Sequence, residues 1–172
     1  AYDAVKYLTN KGHRKIAFLS DSVGSVDSAR LKGFQSALQD AGIDYRDEDF
    51  LRLNPWEDQI EESLKDICDR LDRYTAVFCV SDLYAVTLIA ALVDAGKRVP
   101  EDISVIGFDD NMLAKLRRPG LTTVHQEIEK KGVIAAETLI TMLNGESVPE
   151  QIILGTELVI RDTVRDIRAD SE

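Results

Sequence analysis

Asp102-Ile-Ser-Val-Ile-Gly-Phe-Asp109-Asp110 runs an apolar segment directly into two acids. Ile103, Val105, Ile106 and Phe108 carry little polar alternation, the pattern of a strand buried on both faces of a parallel sheet. Gly107 keeps the backbone slim just before the strand ends. Asp109 and Asp110 then emerge at a carboxyl edge, where open α/β sheets hold their ligands. A carboxylate in such a partly dry crevice suits a partner with hydroxyls or amines to donate. The structural alternative is a solvated loop opened by two acids, so the flanking segments have to decide.

Working outward, the same strand-then-helix rhythm repeats. Lys15 to Ser20 reads as a buried strand after a first helix over Ala1 to Asn10, and the polar loop Asp21 to Val26 follows it. A second helix covers Asp27 to Ala41, with Leu31, Phe34, Ala37 and Leu38 inward and Gly42 as its stop. Phe50 to Leu53 is a short strand, and Pro55 starts a third helix running to Leu71. Thr75 to Val80 is another buried strand. Ser81-Asp82 caps a fourth helix over Leu83 to Ala95, with Asp82 as the expected N-cap. Strict alternation with short connections predicts a doubly wound α/β fold, a parallel sheet with helices on both faces. Beyond Asn111 to Gly120 the rhythm loosens. Leu121 to Val124 is strand-like, Glu127 to Leu143 is helical, and Ile152 to Leu154 and Leu158 to Ile160 are short apolar runs. Asp166 to Glu172 is charged and expected to fray.

The chain has 172 residues, 44% hydrophobic and 30% charged, which is ordinary for a globular protein. No apolar run approaches the roughly 20 residues that span a bilayer. The start lacks an initiator Met and a basic-then-apolar leader, and it begins inside a helical pattern, as a piece of a longer protein would. The net charge of −10, from 21 basic and 31 acidic residues, repels phosphate backbones. Contact with nucleic acid by this segment itself is therefore not expected. Cys68 and Cys79 have no metal-type spacing and read as two buried free thiols, consistent with a reducing cytoplasm.

Candidate site residues fall at the strand ends. Arg30, just beyond the polar loop, can fork two hydrogen bonds to ligand oxygens, or else pair with Asp27. Trp56 offers an aromatic plane for stacking on a sugar or base, or else caps the core as a rim residue. Ser81 reads as a small hydroxyl facing the crevice. His13 and His125 lack partners at metal spacing and read as structural. Glycine-rich phosphate loops and a nucleophile elbow do not occur. One Arg, one aromatic, a hydroxyl and an acid on different strand ends make a binding site. No enzyme activity, cofactor or metal is expected.

Gly12-His13-Arg14-Lys15-Ile16-Ala17, Ser28-Ala29-Arg30-x-x-Gly33-Phe34, Ser81-Asp82-x-x-Ala85, Val99-Pro100-x-Asp102 through Asp110, Leu121-Thr122-Thr123-Val124 and Leu158-Val159-x-Arg161-x-Thr163 occur in that order. As a set they resemble the effector-binding region of bacterial transcriptional regulators of the LacI/GalR family, over Ala1 to about Thr163. The resemblance implies a periplasmic-binding-protein-like fold (type I) of two lobes, with a sugar or nucleobase effector between them. It implies that Arg30 and Asp109 grip the effector, with Trp56 where many members place an aromatic. Ser81 stands where many place an Asn, which shortens that contact.

The resemblance also implies an organisation. Residues 1–118 would be the second lobe, residues 119–150 a crossover strand and helix of the first lobe, residues 151–165 a returning strand and residues 166–172 a frayed tail. The family's helix-turn-helix head is not in this sequence, so operator DNA would be met only through that head. A cytoplasmic homodimer without membrane contact is implied. The runner-up is an extracytoplasmic solute-binding protein of a transport system. A third reading is an enzyme or phospho-acceptor using Asp109 or Asp110. The apolar stripe of the last helix (Ile128, Val133, Ala136, Leu139, Ile140, Leu143) demands a partner, and packing against another copy of the chain is the expectation.

Overall fold

The run beginning at Ile103 forms β4 (Ser104–Asp109) in a computed structural model of the chain, which describes residues 1–22, 24–54, 59–116 and 118–168. Around it lie β1 (Ile16–Ser20), β2 (Phe50–Arg52), β3 (Ala76–Cys79), β5 (Thr122–Gln126) and β6 (Thr156–Val159). The sheet runs β2-β1-β3-β4-β5-β6. The first five strands pair in parallel, and β6 closes the edge antiparallel to β5.

Side chains alternate across a strand, so each strand feeds two cores. Phe18 and Phe78 face α1 (Tyr2–Asn10) and α2 (Ser25–Asp40), where Leu8, Phe34 and Leu38 are buried. The Phe18 ring lies 5.3 Å from Phe34, 5.5 Å from Phe50 and 5.7 Å from Phe78. Leu19, Val77 and Val105 face the opposite layer, α3 (Ile60–Arg70) and α4 (Asp82–Asp94), with Ile67, Leu88 and Leu92. Both faces are therefore covered, as the doubly wound reading requires. From β1 the chain steps first to β2 on one side, then to β3 on the other. The carboxyl ends of β1 and β3 thus flank a reversal of winding, the place where such sheets leave a crevice.

Several expectations are corrected. Ser81, not Asp82, caps α4. Ser81 has extended backbone and its Oγ accepts the Tyr84 N–H, whereas Asp82 lies inside the first turn with its side chain buried in the core. Leu121 to Val124 is not a strand of another lobe, because β5 pairs with β4 through Ile106–Thr122 to Asp109–His125 and completes the same sheet. Cys79 is buried but Cys68 is only half-buried. Asp166 to Arg168 is tied down, with Asp166 held by Lys11 and Arg168, and with the Ile167 N–H donating to the Lys11 carbonyl. Ile152 to Leu154 lies outside any strand. The expected helix start at Pro55 lies outside the described residues.

After β4 comes α5 (Met112–Leu116), and after β5 comes α6 (Ile128–Leu143). No residue of α6 is buried among those described. Ile140 is 59% and Leu143 77% exposed.

Candidate functional site

Three strand ends and one helix build the crevice. Arg30 rises from the second turn of α2, and its Nη1 donates to the Val80 carbonyl at 2.8 Å, at the end of β3. This bond bridges the winding reversal between β1 and β3. The guanidinium lies over the Phe108 ring, with Cζ 4.0 Å from the ring centroid, a cation–π contact that helps hold the fork. Its Nη2 is 3.9 Å from Asp109 Oδ1 and its Nη1 is 3.7 Å from Asp27 Oδ1. The pairing with Asp27 is thus present beside that with Asp109, and Asp27 also accepts hydrogen bonds from Ser20 and Ser22.

Asp109 ends β4 at φ 119, and Asp110 follows at φ 55. Two consecutive non-glycine residues with positive φ turn the chain sharply out of the strand. Asp109 Oδ1 accepts a hydrogen bond from Gln126 Nε2 at 2.7 Å. Burial pushes the Asp109 carboxyl up, with Gln126 and Arg30 opposing. The contacts to Gln126 and Arg30 both fall on Oδ1, and the Asp109 side chain is 27% exposed.

Asp110 turns the other way. Its side chain, 6% exposed, meets Arg161 Nη2, His125 Nδ1 at 3.0 Å and Lys115 Nζ at 3.6 Å. Burial pushes this carboxyl up, but Arg161, His125 and Lys115 outweigh it and hold it below the usual carboxylate range. Beneath the elbow sits Asp82, fully buried, accepting the Asn111 N–H at 2.8 Å and the Thr123 hydroxyl. Burial pushes Asp82 up to about 6, opposed by those two hydrogen bonds and reinforced by Asp109 and Asp110.

Ser25, Ala29, Arg30, Phe108 and Gln126 are among the residues lining an open pocket of about 600 Å³. That size suits a small polar ligand, since pockets for such molecules run ~300–1,000 Å³. The structure places Arg30 and Asp109 side by side, 3.9 Å apart. It commits the Ser81 oxygen to the helix cap; neither Ser81 nor Asp109 is among the residues lining the pocket, and Asp109 adjoins it through Arg30 and Gln126. Trp56 lies outside the described residues. His13 is buried between Thr75 and the Arg165 carbonyl. Among the described residues no group of His, Cys, Asp and Glu has the arrangement of a metal site.

Gln126 and Phe108 were missed as site residues. Phe108 reads simply as strand core, and Gln126 acquires its place only through the register that sets Asp109 opposite His125. A polar residue closing the next strand after the acids is the one available signal.

A doubly wound sheet with a crevice at its winding reversal, beside an Arg–Asp pair, defines a lobe of periplasmic-binding-protein-like α/β type. Residues 5–164 match the periplasmic binding protein-like domain, and the chain belongs to that family. It is 39% identical over 171 residues to the HTH-type transcriptional repressor PurR of Vibrio vulnificus, covering 96% of this chain and 50% of that protein. A solved complex of the transcriptional regulator CelR with cellobiose superposes with a TM-score of 0.83 at 32% identity, over 92% of this chain and 49% of CelR. A LacI-family regulator from Enterococcus faecium with bound ribose gives 0.84 at 28% identity, over 97% of this chain and 62% of that one. The chain spans about half the length of the curated relatives it matches. No helix among the described residues is long and apolar enough to cross a membrane.

Proposed function

We propose that this chain is the effector-gripping portion of a LacI-type transcriptional regulator, responding to a sugar or nucleobase-like metabolite. The observation that carries the reading is the Arg30–Asp109 pair, set on Phe108 at the winding reversal of the sheet. Arg30 supplies directed donors and Asp109 an acceptor, the complement of a ligand bearing hydroxyl, carbonyl or ring-nitrogen groups. The site recognises rather than reacts: Asp109 and Asp110 are engaged in hydrogen bonds and ion pairs.

In the whole protein, effector binding would favour one lobe arrangement and so bias the spacing of paired DNA-reading heads, within the limit of its differential affinity for the two states. The acidic chain would not touch operator DNA itself. The protein would act as a cytoplasmic homodimer. The open face of α6, with the apolar groove of about 650 Å³ between it and residues 149–154, is the surface we assign to the remaining half of the protein. In the isolated chain another copy would cover it.

The test is a thermal-shift screen of the full-length protein with cellobiose, ribose and hypoxanthine. A ligand at 100 times its Kd is expected to stabilise the protein by about 2.7 kcal/mol. Absence of any shift with a broad panel of sugars and nucleobases would count against an effector of this class.

A further inference from the structure

We propose that Asp82 is the positioning residue of this crevice: its buried carboxylate locks the Asp109–Asp110 elbow and so aims the Asp109 carboxylate at the ligand. The inference rests on the effector reading above and deepens it.

Backbone with two successive positive φ values persists only where the surroundings over-determine it. Asp82 is the group that reaches the elbow from beneath. Its backbone is anchored as the first residue of α4. From there Oδ2 accepts the Asn111 N–H, the first amide beyond the elbow, at 2.8 Å, and Oδ1 accepts the Thr123 hydroxyl on β5. One carboxylate therefore ties together α4, β5 and the start of the loop into α5.

Asp82 has no competing duty. Ser81 makes the helix cap, and the hydrogen-bond partners of Asp82 are a backbone amide and a hydroxyl rather than a cation. Gly107 makes room for it. A Cβ there would fall onto the Asp82 carboxylate and within 2.8 Å of the Leu121 side chain, both inside the packed core. The glycine one turn of the pleat before Asp109 is thus the opening through which Asp82 reaches. Arg161 works from the far side, gripping Asp110 with Nη2 and the Leu121 carbonyl with Nη1 at 2.7 Å. With Asp110 and Asn111 both held, Asp109 between strand and clamp has one orientation, which Gln126 completes.

The experiment compares Asp82→Ala, Asp82→Asn and Thr123→Val in the full-length protein, by amide hydrogen exchange without ligand and by calorimetry with cellobiose, ribose and hypoxanthine. In Asp82→Ala the Asn111 amide is expected to exchange about 100-fold faster, with the Phe18 and Phe78 amides unchanged. Affinity for whichever probe binds the parent should fall about tenfold or more, while Asp82→Asn stays within about threefold in both measurements. Rescue follows because the Asn carboxamide oxygen accepts the Asn111 N–H while its NH2 donates to the Thr123 oxygen. Thr123→Val removes one grip only and gives the same pattern at smaller size, which decides the matter if Asp82→Ala does not fold. Unchanged Asn111 protection in the Ala and Val variants, or a freed elbow with unchanged affinity, overturns the proposal. So does failure of Asp82→Asn to rescue. If no probe binds the parent, the effector reading falls, and the exchange data alone decide the clamp.

Discussion

The sheet with its crevice and the α6 segment are built from similarly apolar sequence, yet they end in opposite conditions. Phe18, Phe34 and Phe78 are wholly buried between two layers, while Ile128, Val133, Leu139, Ile140 and Leu143 on α6 are all exposed. The difference is topological. Helices α1 to α4 return to the sheet through short connections, each covering a face as it goes. By the time α6 is reached, both faces carry their helices, and its stripe has nothing left to cover within this chain. Local pattern makes a helix amphipathic, but the partner is set by what the chain has already built.

That comparison breaks most visibly in the core. Phe18→Ala is expected to cost ~3–5 kcal/mol of folding stability, because it empties the centre of the aromatic cluster. Denaturant unfolding with a loss below about 1 kcal/mol would mean that the cluster is not tightly packed. On α6 the balance reverses. Ile140→Glu should leave the folding stability of the isolated chain within about 0.5 kcal/mol, as at an exposed site. It should weaken self-association by ~1.5–3 kcal/mol, the transfer cost of one buried aliphatic side chain. Light scattering over a concentration series reads that second effect, and a strictly monomeric parent chain would contradict the assignment of α6 to another copy.

The smallest effect sharpens the boundary between core and crevice. The Asp82 carboxyl, pushed by burial from the ordinary carboxylate range up to about 6, holds its proton more tightly folded than unfolded. Its contribution to stability is therefore fully present below about pH 4 and is lost as pH rises through 6. Asp82→Asn cannot ionise. Its melting temperature should gain on the parent's between pH 4 and pH 7, with the two curves parallel above that range. A constant difference from pH 4 to 7 would show that Asp82 ionises without cost.

Much of this was legible in the residues. The apolar run to Phe108 followed by two acids predicts a central strand ending in acids, and Arg30, on the helix after β1, lies 3.9 Å from Asp109. The stripe on α6 is also readable as a face without a home. What failed was local choice and long-range register. Ser81 and Asp82 are both good caps, and only the extended backbone at Ser81 selects it, freeing Asp82 for the core. Leu121 to Val124 looked like a crossover because the loop before it is long. Pairing with β4 cannot be inferred from loop length, since the hydrogen bonds lie between residues about 16 apart. Gln126 enters the site through that same register.

The central claim is that the Arg30–Asp109 pair grips an effector in this crevice, and calorimetric titration of the full-length Arg30→Ala variant tests it most directly. With the ligand identified by the thermal-shift screen, affinity is expected to fall about tenfold or more, since removing a hydrogen-bonding partner to a charged group costs ~1.5–3 kcal/mol. The fold should be retained, because Arg30 lies at the crevice end of α2 rather than in its buried stripe of Phe34, Ala37 and Leu38. Unchanged affinity in a folded Arg30→Ala protein would contradict the account.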